Sequence, residues 1–121
     1  MPIQFLKSMR HAARGIQTVF VHESNFRIQV MATLAVLTLA GFVYVRPWEL
    51  ILLILLCASV LTLELFNSVI ERMANGLNPR LHPIIRDVKD MMAGAVLLVS
   101  LTSVVIGALI FVPYLVAILG S

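Results

Sequence analysis

Four polar residues fall on one helical stripe inside an otherwise oily stretch of this chain: Glu64, Asn67, Ser68 and Glu71. At spacings i, i+3, i+4 and i+7 they point the same way on a helix, and Leu65, Phe66, Val69 and Ile70 take the opposite face. The stripe follows directly on the apolar run from Leu50 to Leu63. An ionisable side chain at membrane depth is costly, and by default it marks a functional site. For Glu71 an ordinary solvated charge on an emerging helix explains the residue equally well. For Glu64, behind an uninterrupted apolar run, that explanation is the weaker one. The two carboxylates stand roughly 10 Å apart along the axis. They are too far apart to share one proton, yet suited to two parts of one larger substrate.

Further charges gather at the same end of the apolar runs. Glu23 precedes the first run, and Arg86, Lys89 and Asp90 precede the third. Two carboxylates and a Lys-Asp pair beneath a carboxylate in lipid suggest a two-phase reaction, with one substrate from water and the other from the membrane. Phosphoryl transfer from a nucleotide fits. It needs Mg2+ on oxygen ligands, a cation on the phosphates and a base for the accepting hydroxyl. No Gly-x-x-x-x-Gly-Lys-Ser/Thr loop and no protein-kinase signature is present. No Cys/His cluster suggests zinc. Ser68 has no nearby His in sequence, so packing or helix back-bonding suits it better than attack on a substrate. The basic residues carry no aromatic interleaving that would argue for nucleic acid.

These groups must be positioned by membrane helices. The 121 residues form one domain, 60% hydrophobic and 12% charged, against about 25% charged for a soluble domain. The single Cys57 rules out an internal disulfide and reads as a packed thiol. Because the first apolar run begins only near Ile28, a cleaved signal peptide does not fit. Residues 3–22 have helical apolar spacing with Lys7, Arg10, His11 and Arg14 on a basic side, the pattern of a helix lying at the lipid headgroups. Ser24 or Asn25 would cap the next helix. Spans are expected at about 28–45, 48–71 and 86–119, with Pro47 in a first turn and Trp48 at the interface. Asn75 to Pro83 reads as a turn-rich loop, and Pro113 is expected to kink or end the last helix. Ala93-Gly94-Ala95 offers a place for a neighbouring backbone to come close. Lys7, Arg10, Arg14, Arg27, Arg72, Arg80, Arg86 and Lys89 lie on one side and only Arg46 on the other. By the positive-inside rule the N-terminus faces the cytoplasm. The expected fold is an all-α integral membrane helical bundle of three transmembrane helices with an N-terminal amphipathic surface helix.

At these residues the chain resembles the prokaryotic diacylglycerol kinase family, which includes the Gram-positive undecaprenol kinases. The resemblance covers about Phe5 to Ile106. It rests on Glu64-Leu-x-Asn67-Ser68-x-Ile-Glu71 and Lys89-Asp90-x-x-Ala93-Gly94-Ala95-Val96, with Glu23-x-Asn25-Phe26-Arg27 and His82-Pro83 in support. It implies a bacterial cytoplasmic-membrane kinase, usually a homotrimer with active sites between subunits, that uses ATP and Mg2+ to phosphorylate a membrane lipid alcohol. Carried over by position, Glu64 matches the general base, and Glu23 and Glu71 match the Mg-nucleotide carboxylates. Lys89 and Asp90 match nucleotide contacts, His82 lies in a stretch that also meets the nucleotide, and Asn67 supports the base. Arg10, His11 and Arg14 on the surface helix would touch both substrates. Carboxylates in low-dielectric surroundings take up protons readily, which suits the base role. Asn75 stands where most relatives have Asp, Gln29 where many have Glu or His, and Arg86 where Lys is common.

Diacylglycerol and undecaprenol are the candidate acceptors, and Asn25-Phe26-Arg27-Ile28 with His82-Pro83 looks closer to the undecaprenol branch. A small proton-coupled transporter using Glu64 is the alternative, although it has no need of Glu23, Glu71, Lys89 and Asp90 together. A structural subunit packed through Ala93-Gly94 is the third reading.

Overall fold

Four helices account for nearly the whole described chain: α1 (Pro2–His22), α2 (Ser24–Val43), α3 (Pro47–Gly76) and α4 (His82–Leu119). The computed structural model describes residues 2–76 and 82–120, with only the backbone of residue 82. Helices α2, α3 and α4 are each long and apolar enough to cross a membrane. In α3, 30 residues make a rod of about 45 Å, against a hydrocarbon core of about 30 Å. Its last turns, from about Glu64 onward, therefore approach or leave the oily layer. This is a multi-pass membrane protein. Among the described residues no strand occurs.

Each boundary has a local cause. Between α1 and α2 a single residue, Glu23, is extended at φ −114° and ψ 110°. Ser24 and Asn25, expected as caps, are already helical; Glu23 holds the cap position and makes no side-chain capping bond. What satisfies the end of α1 is Arg27, whose Nη1 donates to the carbonyls of Phe20 at 2.8 Å and Val21 at 2.7 Å. A cation there also complements the negative end of the helix dipole. At the far end of α2, Tyr44 turns into the left-handed region, φ 58°, and its N–H closes on Ala40 O. Pro47, with φ fixed and no N–H to lose, opens α3.

Two expectations change here. Asn75, Gly76, His82 and Pro83, expected in the loop, lie in helices, and the rest of that expected loop, residues 77–81, lies outside the described residues. Pro113 does not end α4, which runs on to Leu119. The neighbouring turns are pinned, because Ile110 and Phe111 are buried and Tyr114 donates to Glu49.

The apolar core sits at the end of the bundle where α2 turns into α3. Ala40, Val43, Leu53, Ile110 and Phe111 pack there from all three long helices. Glu49, 8% exposed, is sheltered beside them and accepts from the Tyr114 hydroxyl and from Arg46 N at 3.0 Å. This clasp joins the α2–α3 turn to α4. Among the described residues, the opposite end, where Glu23 lies, has no comparable apolar core. Its buried groups are Val19, Phe26, Glu64 and Ser68. In α1 only Val19 is buried, and the helix packs against α2 and α3 but not α4.

Candidate functional site

The short turn at residues 44–46 makes α2 and α3 antiparallel neighbours, so residues at similar distances from the turn meet across the pair. Gln29 on α2 and Glu64 on α3 meet in this way, and Gln29 Nε2 donates to Glu64 Oε2 at 3.3 Å. Glu64 is 3% exposed within the single chain. One turn further along α3, Asn67 Nδ2 donates to Glu71 Oε1 at 3.3 Å and its side chain also reaches Glu64. Asn67 thus lies between the two carboxylates, as the i, i+3, i+7 spacing requires. Glu23, at the joint ahead of α2, is close enough to Glu64 for their charges to interact, and so is Glu71.

Three carboxylates are therefore gathered from two segments of chain around one buried position. Among the described residues no ion pair joins them to a basic side chain. Their oxygens are hard donors of the kind Mg2+ takes, and Mg2+ usually keeps waters and substrate phosphates as its remaining ligands. Among the described residues, no group of three or more His, Cys, Asp or Glu is placed to enclose a metal by itself. The donor set thus fits a cation shared with a phosphate ligand and does not fit a closed protein cage.

Two buried polar atoms flank the position without partners: Ser68 Oγ and Gln29 Oε1. The back-bond considered for Ser68 does not form, although Thr33, Ser59, Thr102 and Ser103 all make such bonds at 2.7–2.9 Å. Ser68, 1% exposed, is fully packed.

The remaining predicted residues are not drawn into this group within one chain. Lys89 is half-buried and Asp90 exposed on α4, and neither makes a polar contact with the carboxylates. Arg10, His11 and Arg14 are exposed on α1. The side chain of His82 lies outside the described residues. Conversely, the expected set contained no role for Gln29. Its signal was a lone amide at the start of an apolar run; its partner depends on how α2 and α3 are aligned.

Gln29 also opens onto a groove of about 480 Å³ that runs between α2, α3 and α4. The groove is almost wholly apolar, lined by residues such as Val36, Leu56, Val60 and Val104, with Gln29 among its few polar side chains. Toward the other end its lining reaches the core residues Leu53 and Phe111 and, on α4, Leu115. A hydrocarbon-lined slot leading to a buried carboxylate suits chemistry on the polar end of a lipid.

Comparison with known proteins points the same way. A family model described as prokaryotic diacylglycerol kinase matches residues 10–111. An undecaprenol kinase of Bacillus subtilis is 37% identical over 112 residues, 93% of this chain and 91% of that protein. A diacylglycerol kinase of Synechocystis is 30% identical over 94% of this chain and 66% of its own length. A diacylglycerol kinase of Helicobacter pylori is 30% identical over 94% of this chain and 86% of that protein.

Proposed function

We propose, from the premise that this chain belongs to the prokaryotic diacylglycerol kinase family and is a membrane lipid kinase, that it phosphorylates the hydroxyl of a polyprenol or diacylglycerol using ATP. The observation that carries the reading is the buried Glu64, held by Gln29 at the head of an apolar groove and flanked by Glu71 and Glu23. The transporter alternative finds no support, since the relatives are kinases by name.

In this reading Glu64 is the base. It accepts the proton of the lipid hydroxyl as that oxygen bonds to the γ-phosphorus and the bond to the leaving ADP oxygen breaks. Burial among apolar residues keeps water, a competing acceptor, from the reacting atoms. Asn67 positions Glu64 and Glu71 from between them. Glu23 and Glu71 are the residues that would hold Mg2+. Held there, the ion would offset the charge of the phosphates and of the carboxylates themselves. Lys89 would meet the phosphates as a point charge, with Asp90, His82 and His11 as further nucleotide contacts and Arg10 and Arg14 at the lipid entrance.

Lys89 and Asp90 stand apart from the carboxylates within one chain, which supports assembly of the site from more than one copy, as a homotrimer. The charge bias supports a cytoplasmic N-terminus in the bacterial inner membrane. Between the two acceptors, likeness to a protein named undecaprenol kinase favours the polyprenol. The test is transfer of label from [γ-32P]ATP by purified protein in detergent, with undecaprenol and diacylglycerol side by side. Labelled undecaprenyl phosphate is the expected product. Label on diacylglycerol alone would reverse the acceptor assignment, and label on neither would remove the reading.

A further inference from the structure

Glu23 is the only residue between α1 and α2, and the fold leaves its side chain uncommitted. It stands at the cap position of α2 yet makes no capping bond. Among the described residues it joins no ion pair either. Its main chain, by contrast, is fastened on both sides. Glu23 N donates to Val19 O at 2.8 Å, and Glu23 O accepts from Arg27 N at 3.3 Å. With its amide held by one helix and its carbonyl by the next, the direction of its Cα–Cβ bond follows the tilt between them.

Arg27 holds that tilt. An acidic residue four places before an arginine is a common partner for it at helical spacing. Here the guanidinium makes no such pair and reaches back over the joint, where Nη1 donates to Phe20 O at 2.8 Å and Val21 O at 2.7 Å. Both carbonyls belong to the final turn of α1, which has no further helical N–H to offer them. A cationic donor on such carbonyls makes a stronger bond than a neutral one. The same bonds have a second effect. The cation nearest Glu23 in sequence is engaged by backbone, so the carboxylate stays free for a cation from outside the chain. Mg2+ tolerates little departure from octahedral geometry at its short bond lengths, so a carboxylate that ligates it must be oriented beforehand.

We propose that Arg27 is a positioning residue for the metal–nucleotide site: by tying the last carbonyls of α1 to α2 it orients the Glu23 carboxylate, and by bonding there it leaves that carboxylate unpaired for Mg2+ and the nucleotide phosphates. This rests on the metal role proposed for Glu23 and deepens it. Arg27 itself touches neither substrate. Its loss weakens Mg-nucleotide binding and leaves the lipid KM at the parent value.

The experiment uses the full-length protein in detergent. Binding of labelled adenylyl imidodiphosphate is measured by equilibrium dialysis across a Mg2+ series, beside separate KM values for ATP and undecaprenol. Arg27→Leu should weaken nucleotide binding in Mg2+ roughly tenfold, the lower end of what loss of a supporting contact costs a metal site. Binding measured without Mg2+ should hardly change. Arg27→Lys should recover most of the loss, because one nitrogen makes both bonds and an ammonium also has the donors for them. The deciding variant combines Arg27→Leu with Glu23→Gln. If Arg27 acts through Glu23, the double variant binds no more weakly than Glu23→Gln alone. Losses that multiply would mean a direct contact with the phosphates and overturn the proposal. So would parent-like binding in Arg27→Leu, or a rise in lipid KM as large as that for ATP, the mark of a packing fault. Parent-like binding in Glu23→Gln would remove the metal role of Glu23 and this proposal with it. Weakened binding in Glu23→Gln without any loss in Arg27→Leu would remove this proposal alone.

Discussion

At the scale of single residues the chain separates two carboxylates by the company each keeps. Glu64 is enclosed, with amides on two sides; Glu71 is half-buried and, among the described side chains, bonded only to Asn67. Glu64→Gln keeps the shape and hydrogen-bonding length but cannot accept the proton. Phosphoryl transfer should fall by about 10²–10⁴-fold, while ATP affinity, read by equilibrium dialysis with labelled nucleotide, stays near the parent value. Glu71→Gln should raise the KM for Mg-ATP, and excess Mg2+ should restore part of the loss. Unchanged Mg-ATP affinity in Glu71→Gln would take the metal role away from this residue. The grouping of Glu64, Asn67 and Glu71 was legible in the sequence because one helix carries all three and its period is known. Gln29 was not legible in this way. Its contact spans 35 positions of chain, and no spacing rule gives the alignment of one apolar helix against another.

At the scale of elements, two clasps set how the helices lie. Arg27 reaches back to the carbonyls that end α1, binding the surface helix to the first span. Arg27→Ala should release them at a cost of about 1 kcal/mol. Faster amide hydrogen exchange in the last turns of α1, with α3 and α4 unaffected, is the expected signature. At the other end, Tyr114→Phe removes the hydroxyl that Glu49 accepts. The thermal midpoint in detergent should drop while kcat is kept, because the clasp lies at the opposite end of the bundle from Glu64. Neither clasp was visible from sequence. Arg27 could be assigned only as one more positive charge, and Tyr114 lies 65 positions from its acceptor. The helices themselves were visible, since unbroken apolar runs of this length have few other fates. Their ends were less so. Pro113 and the Asn-Gly-Pro stretch carry local breaking signals, but tertiary contacts carried α4 through the first, and α3 and α4 close in on the second from both sides.

At the scale of the molecule, a bundle with few buried side chains leaves much apolar surface uncovered. Lipid can cover most of it, but a proposed site with Lys89 and Asp90 standing apart from the carboxylates calls for further copies. Gly94 has nothing within 4 Å of where a Cβ would be, so the first carbon of a Gly94→Leu side chain meets no neighbour in the isolated chain. If the protein is a trimer whose copies approach along that face, the variant should have a lower mass than the parent by light scattering in detergent and lose activity together with it. An unchanged mass would place the contact elsewhere. The three-span plan and its charge bias could be read from composition and order, whereas the partition of the interior could not. An apolar plug at one end, a slot in the middle and a polar knot at the other arise only once three helices share one space.

The joint at Glu23 couples the two ends of that chemistry. One extended residue connects α1 to α2, and the clasp by Arg27 takes up what slack it would have. The surface helix and the first span are therefore set at an angle fixed by one acidic residue and one guanidinium. Were Glu23 to hold the nucleotide as proposed, the seating of the outer arm among the headgroups would set the aim of that carboxylate.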